Sequence, residues 1–175
     1  MDIKEVIRTI NQMEVDGIIS GYAIGGAVGA IFYLQPTATA DVDVFISFDI
    51  EPGSLIIDPQ PIFDYLKQRG CMMQDDSVMI GGWPVQFLPP AGPLVEEALA
   101  CAVTMDVQGM KTRVFTAEHL AAIALQTGRA KDKIRLVQFV EAGVLDATRF
   151  QSILTRHGLQ AAWQKFERQF LSDSP

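Results

Sequence analysis

The stretch Tyr22-Ala-Ile-Gly-Gly26, followed after a short apolar segment by Ala40-Asp-Val-Asp-Val-Phe-Ile-Ser-Phe48, decides how this chain folds. In a strand alternate side chains share a face, so Asp41 and Asp43 point one way while the apolar residues between them point into a core. Burying two unpaired carboxylates is costly, so packing alone does not explain them at the head of an apolar strand. The two side chains are close enough to converge on one metal ion or on a metal pair.

The glycine pair just before this strand has a physical use of its own. Gly25 and Gly26 open a predicted helix, where glycine lets the backbone approach a phosphate closely and the free N–H groups attract anions. Two aspartates placed beside that helix terminus would add metal ligands to an anion cradle. The order strand, glycine pair, helix, Asp-x-Asp strand therefore predicts a site for a magnesium–triphosphate complex.

Composition limits the class of protein. The chain has 175 residues and 49% hydrophobic content, enough to bury a sizeable core in one domain or in one domain with a helical appendage. No apolar run reaches transmembrane length, and the N-terminal residues lack the layout of a signal peptide, so we expect a cytoplasmic protein without a membrane partner. Cys71 and Cys101 suit no zinc spacing and are expected to be reduced thiols.

Charge is unevenly distributed along the chain. Residues 1–110 carry four Lys and Arg against fifteen Asp and Glu, whereas residues 111–175 carry ten against six. An acidic half that faces a basic half is typical of a divided site, although chance clustering on solvated helices explains the pattern equally well.

Periodicity and turn residues predict an α/β fold, with a small mixed sheet that has helices on one side and is followed by an α-helical part. We expect an α/β core over residues 1–115 and a helical subdomain over 116–175, with Thr116 as a plausible N-cap. The predicted helices cover 2–16, 27–34 (ended by Pro36), 61–69, 94–103, 117–127, 131–142, 147–157 and 159–171. The predicted strands cover 22–24, 41–48, 78–80, 83–88, 105–107 and 111–115, with a turn-rich loop over 51–59.

The two motifs resemble a known group of enzymes. Tyr22–Gly26 followed by Thr39-Ala-Asp-Val-Asp-Val44 is similar to the hydrophobic-Gly-Gly … Thr-x-Asp-hydrophobic-Asp signature of the nucleotidyltransferase (polymerase β-like) superfamily. The minimal bacterial branch, which includes enzymes of abortive-infection and toxin–antitoxin systems, looks closest. Gly128-Arg-Ala-Lys-Asp132, after the helix that begins near Glu118, is similar to that branch's helical Arg-x-Lys-Asp segment.

The resemblance implies roles for individual residues. Gly25 and Gly26 would hold the triphosphate, Asp41 and Asp43 would be catalytic and ligate Mg²⁺ or Mn²⁺, and Thr39 and Lys131 would contact the nucleotide. The implied function is metal-dependent transfer of a nucleotidyl group from a nucleoside triphosphate to RNA or protein, within a toxin–antitoxin pair that supplies a partner protein. The alternative is a catalytically silent domain of the same fold that binds a nucleotide or a partner protein.

Some residues depart from the pattern or stand apart from it. The third carboxylate of the superfamily is replaced by Gln86, whose amide oxygen can contact a metal but cannot accept a proton as a carboxylate does. His119 and His157 fit no metal or triad pattern and are interpreted as isolated helix-surface or satisfied core histidines. The basic residues from Arg129 to Arg135 form either a phosphate-binding edge or only the polar face of a helix.

Overall fold

The strand that carries the aspartate pair lies at the centre of the sheet. In a computed structural model that describes residues 2–35, 39–47 and 58–171, seven strands form one mixed sheet in the order β3-β4-β5-β2-β1-β7-β6. The strands are β1 (Gly21–Ile24), β2 (Val42–Ser47), β3 (Met72–Gln74), β4 (Ser77–Ile80), β5 (Trp83–Leu88), β6 (Val103–Val107) and β7 (Met110–Val114).

Four helices are interspersed with these strands, and four more follow them, as the apolar periodicity predicts. The interspersed helices are α1 (Ile3–Val15), α2 (Gly26–Ile31), α3 (Gln60–Gln68) and α4 (Pro93–Ala100). The helical C-terminal part consists of α5 (Ala117–Thr127), α6 (Ala130–Glu141), α7 (Ala147–Arg156) and α8 (Gln160–Phe170). The predicted α/β class with a helical C-terminal part is confirmed. None of the helices in the described ranges is long and apolar enough to cross a membrane.

The register of β2 fixes what surrounds the aspartates. β2 pairs antiparallel with β1, with Val44 opposite Ile24, and parallel with β5, with Asp43 opposite Gln86. Residues paired across neighbouring strands point to the same face of the sheet. Gln86 is therefore the β5 residue that lies beside Asp43 on the same face.

Both faces of β2 are packed, so the expectation of helices on one side only is wrong. Val42, Val44 and Ile46 are buried against α1 and α3 in one hydrophobic cluster. The opposite face contributes Phe45 to a second cluster that contains the apolar residues of α4, α5, α6, α7 and α8. Alternation along a strand sends odd and even residues to opposite faces, which explains how one strand serves two cores. The helical C-terminal part thus packs on the face that presents Asp43.

Some element boundaries in the structure differ from those that periodicity predicts. Helix α4 ends at Ala100 rather than at Val103, because Val103 opens edge strand β6. The prediction also missed β3, a three-residue edge strand joined to β4 by a turn in which Asp75 has a φ of +50°. The predicted helix stop at Pro36, the strand end at Phe48 and nearly all of the loop over 51–59 lie outside the described residues.

The two histidines are not isolated, because a single carboxylate joins them. Glu97 of α4 accepts hydrogen bonds from His157 Nε2 at 2.7 Å and from His119 Nε2 at 3.2 Å. Arg156 Nε donates to the same carboxylate at 3.3 Å, and Thr116 Oγ1 lies 2.8 Å from His119 Nδ1. This cluster fastens α4 to α5 and to the end of α7. Its hydrogen bonds with Arg156, and then with both histidines, lower the pKa of Glu97 to about 2, whereas burial lowers that of His119.

Replacing Glu97 by glutamine should destabilise the protein in a pH-dependent way. At neutral pH we expect Glu97→Gln to lower the free energy of unfolding by about 1–2 kcal/mol, a figure reduced for solvent screening. Because the pKa of Glu97 is lowered from 4.5 to about 2, its stabilisation is fully present above about pH 4.5 and is lost as pH falls through about 2. The difference between variant and wild type should therefore shrink in acid.

Urea unfolding at neutral pH and at about pH 3 measures this difference. Glu96→Gln is the matched control, since Glu96 is exposed in the same helix turn and should change stability little at either pH. A pH-independent difference for Glu97→Gln would contradict the assignment.

Candidate active site

The corner between β1 and α2 is hydrogen-bonded directly to the aspartate strand. The Gly25 N–H donates to the backbone oxygen of Asp43 at 3.0 Å, which extends the β1–β2 pairing into the corner. Gly26, the first residue of α2, has a φ of +57°, a left-handed conformation that favours glycine. The predicted glycine pair and Asp43 are therefore brought together by the backbone itself.

A small cavity opens beside Asp43 and between the sheet and the helical part. Its volume is about 90 Å³. Its lining is partly polar and partly apolar, and it includes Phe45 and the fully buried Phe115, which pack at a ring-centroid distance of 4.8 Å. The lining residues are Gly26, Asp43, Phe45, Phe115, Leu120, Ile123, Ala124, Thr127, Arg129, Asp132 and Arg135. Residues from the sheet and from α5 and α6 thus form one concave site.

Opposing charges act on Asp43. Burial raises the pKa of its carboxyl group, and the neighbouring charge of Asp41 raises it further. Lys131, Arg129 and Arg135 lower that pKa. The cations of α6 therefore lie within electrostatic reach of the aspartate, so the acidic and basic halves of the sequence do meet at this site.

The basic segment is organised by the carboxylate of Asp132, the last residue of the Gly128-Arg-Ala-Lys-Asp132 motif, to which the motif alone assigned no role. Asp132, with 2% of its side chain exposed, accepts a 2.6 Å hydrogen bond from Arg129 Nε and lies 3.5 Å from Arg135 Nη1. A second bond from Arg129 Nη2 is 3.3 Å long. The signal was present as spacing, because residues three apart on a helix are neighbours and Asp132 is three residues from each arginine. A buried aspartate thus orients two arginines that line the cavity.

The other predicted site residues can be placed around this centre. Asp41 is partly buried and immediately precedes β2, and Thr39 Oγ1 donates to its backbone oxygen at 3.1 Å. Thr39 therefore stabilises the backbone conformation of the residues just before β2. Lys131 is exposed in the first turn of α6 and acts on Asp43 through its charge. Gln86 flanks Asp43 from β5.

The donor set around Asp43 fits magnesium. Mg²⁺ takes oxygen ligands and is usually held by one or two carboxylates, with waters and substrate phosphates completing its coordination. Asp41 and Asp43 would supply the carboxylates, and Gln86 would add an amide oxygen. Within residues 2–35, 39–47 and 58–171, no group of three or more His, Cys, Asp and Glu side chains could hold a metal ion. Of the carboxylates, Asp43 and Asp132 line the cavity, and Asp41 is not among the residues that line it.

Comparison with solved structures defines the class of fold. The chain resembles an antigenic nucleotidyltransferase-like protein from Paracoccidioides brasiliensis, with a TM-score of 0.56, 16% identity and coverage of 91% of this chain and 90% of that one. It also resembles ANT(2″)-Ia in complex with adenylyl-2″-tobramycin, with a TM-score of 0.53, 14% identity and coverage of 90% and 97%.

A solution structure of the antibiotic-resistance factor ANT(2″)-Ia gives a TM-score of 0.52 at 14% identity, covering 96% of this chain and 98% of that one. No family profile and no curated protein sequence matches the chain. The fold is therefore that of nucleotidyltransferase-like proteins along nearly the whole chain. Structural similarity at identities this low defines the fold alone. Any chemistry has to be argued from the side chains of the site.

The exposed position of Lys131 at the start of α6 provides a test of whether the basic residues from Arg129 to Arg135 bind phosphate. Lys131→Ala should weaken nucleoside triphosphate affinity about tenfold, because the resemblance implies that its ammonium group makes a charge-assisted contact with phosphate. The matched control is Lys133→Ala, since Lys133 lies on the same helix but its ammonium group is 5.8 Å from the Phe170 ring centroid, at a different cavity. Calorimetric titration of both variants measures the effect, and an equal loss for the two lysines would show that only net charge matters.

Proposed function

We propose that this protein is a magnesium-dependent nucleotidyltransferase that uses nucleoside triphosphates as donors. The observation that carries the proposal is the placement of Asp43. It lies between a left-handed glycine corner and a basic helix edge, in a cavity of the nucleotidyltransferase-like fold. A metal-bound triphosphate needs carboxylates for the metal and cations for the remaining phosphate charge, and this cavity contains both.

The proposed division of labour follows the chain. The core over residues 1–115 supplies Asp41 and Asp43 for Mg²⁺ or Mn²⁺, and the helical subdomain over 116–175 supplies Arg129, Lys131 and Arg135 for the phosphates. A bound metal ion would neutralise charge on the reacting phosphate groups and orient them for in-line displacement. Gly25, Gly26 and Thr39 would shape the donor pocket next to the carboxylates.

Asp132 has a distinct part in this scheme. It is buried and paired with Arg129 and Arg135, and it fixes both guanidinium groups at the cavity wall. Pre-oriented cations cost less conformational entropy when they bind phosphate. The chain's own contribution to catalysis would then be mainly electrostatic and positional.

The acceptor is proposed by chemistry alone. It must present a hydroxyl group, on RNA, on a protein or on a small molecule, whose oxygen can bond to the α-phosphorus in line with the bond to the β-phosphate, which breaks to release pyrophosphate. The resemblance suggests that the protein acts in a cytoplasmic toxin–antitoxin pair, which would supply a partner protein. The structure of ANT(2″)-Ia with adenylyl-2″-tobramycin adds small hydroxylated compounds to the acceptors to be assayed.

A second candidate is a catalytically silent, nucleotide-binding domain of the same fold. The observation that favours it is the pairing of Gln86 with Asp43, which puts a neutral amide where a third carboxylate would help to remove a proton. Both candidates share nucleotide and metal binding and differ only in turnover.

Metal binding provides the first test of the proposal. Calorimetry with Mg²⁺ or Mn²⁺ in the presence of a nucleoside triphosphate should show binding by wild type, and Asp43→Ala should abolish it because half of the carboxylate ligand set is gone. Asp76→Ala is the control, since Asp76 is exposed in the turn between β3 and β4. Unchanged metal binding by Asp43→Ala in a folded protein would refute the proposal.

Turnover separates the two candidates. With Gln86 beside Asp43, the proposed enzyme should transfer labelled nucleotide slowly, whereas the silent domain should transfer none. In the enzyme Gln86→Asp should raise the rate, since loss of general-base help typically costs about 10²- to 10⁴-fold. Gln86→Leu, which cannot supply a proton acceptor, is the control. Brisk transfer by wild type that Gln86→Asp lowers would show that the base lies elsewhere.

A further inference from the structure

The two glycines of the corner each face one side chain of the aspartate strand. A Cβ atom on Gly25 would lie 2.6 Å from Phe45 Cε2, and a Cβ atom on Gly26 would overlap Asp43 Oδ2 and lie 2.9 Å from Asp43 Cγ. Asp43 and Phe45 are alternate residues on the same face of β2. The glycine pair and the strand face therefore interlock, one glycine to one side chain.

This interlock explains Gly26 without a ligand. The space that any side chain at position 26 would take is already filled by the Asp43 carboxylate. The Gly25 N–H hydrogen bond to the Asp43 backbone oxygen, 3.0 Å long, keeps the two segments in register, so the overlap cannot be relieved by sliding the strand. The carboxylate is the mobile end of a side chain, and it would have to rotate away if a methyl group were added.

We infer that Gly26 is a positioning residue: because it has no side chain, the Asp43 carboxylate can occupy its position at the cavity. The inference deepens the proposed function, on which its consequence for metal binding rests. It differs from a phosphate-cradle role for Gly26, because the atom that needs the space belongs to Asp43 and the requirement exists before any nucleotide binds. A phosphate-cradle role affects only nucleotide binding, whereas a positioning role affects the metal site itself.

The test is binding of Mn²⁺ alone, followed by electron paramagnetic resonance in the absence of nucleotide. Gly26→Ala should weaken Mn²⁺ affinity about 10- to 100-fold, the usual cost of disturbing a residue that orients a metal ligand. Gly17→Ala is the control for backbone strain, because Gly17 has a φ of +71° and a Cβ there would meet nothing within 4 Å. Both substitutions should lower thermal stability through backbone strain, Gly26→Ala the more because of its overlap with Asp43, and only Gly26→Ala should weaken Mn²⁺ binding.

Three outcomes would overturn the inference: wild-type Mn²⁺ affinity in folded Gly26→Ala, an equal loss in Gly17→Ala, or a loss in Gly26→Ala that appears only when nucleotide is present. In an Asp43→Ala background, Gly26→Ala should cost less thermal stability than it does in wild type, because the carboxylate that it displaces is absent. An equal stability cost in the two backgrounds would also contradict the inference.

Metal-free crystal structures of wild type and Gly26→Ala keep this test separate from that of the proposed function. The Asp43 carboxylate should be displaced from the cavity in the variant, and an unmoved carboxylate would overturn the inference. If wild type bound no Mn²⁺, the proposed metal function would fail, and the position of Asp43 in the two structures would still decide the role of Gly26.

Discussion

The antiparallel pairing of β1 with β2 is the constraint on which the candidate site depends. It runs from Gly21 opposite Ser47 to Ile24 opposite Val44 and ends in the hydrogen bond from Gly25 to Asp43. A slip of one residue would turn Asp43 into the core and Val44 out of it, and burying an unpaired carboxylate is prohibitively costly. The hydrophobic alternation of β2 therefore sets the register, and the register places Asp43 at the glycine corner.

The same alternation ties the two halves of the chain together. The apolar face of β2 packs on α1 and α3, while the face with Asp43 and Phe45 meets the helical C-terminal part. Glu97 then links α4 to α5 and α7 through hydrogen bonds with two histidines and an arginine. Apolar residues of these three helices and of α6 pack in one hydrophobic cluster. Charge complementarity between the aspartates of β2 and the basic start of α6 is thus a product of packing, with Asp132 holding the arginines in place.

Much of this arrangement was predictable from local sequence signals. Period-two alternation predicted β2, apolar periodicity and the Thr116 cap predicted the start of the helical part, and the Asp-x-Asp spacing selected Asp43. Long-range partners were not predictable, because nothing local says that His119 and His157 share one carboxylate. The order of strands in the sheet is equally non-local. The role of Gly26 was also hidden, since a glycine in sequence does not show which atom fills the space of its missing side chain.

A crystal structure with Mn²⁺ and a non-hydrolysable nucleoside triphosphate tests the central claim most directly. The account predicts an anomalous-scattering peak between the carboxylates of Asp41 and Asp43, with the phosphates directed toward Arg129 and Lys131 at the start of α6. A nucleotide bound elsewhere on the protein, or a cavity at Asp43 that holds neither metal nor phosphate at saturating concentrations, would contradict the account.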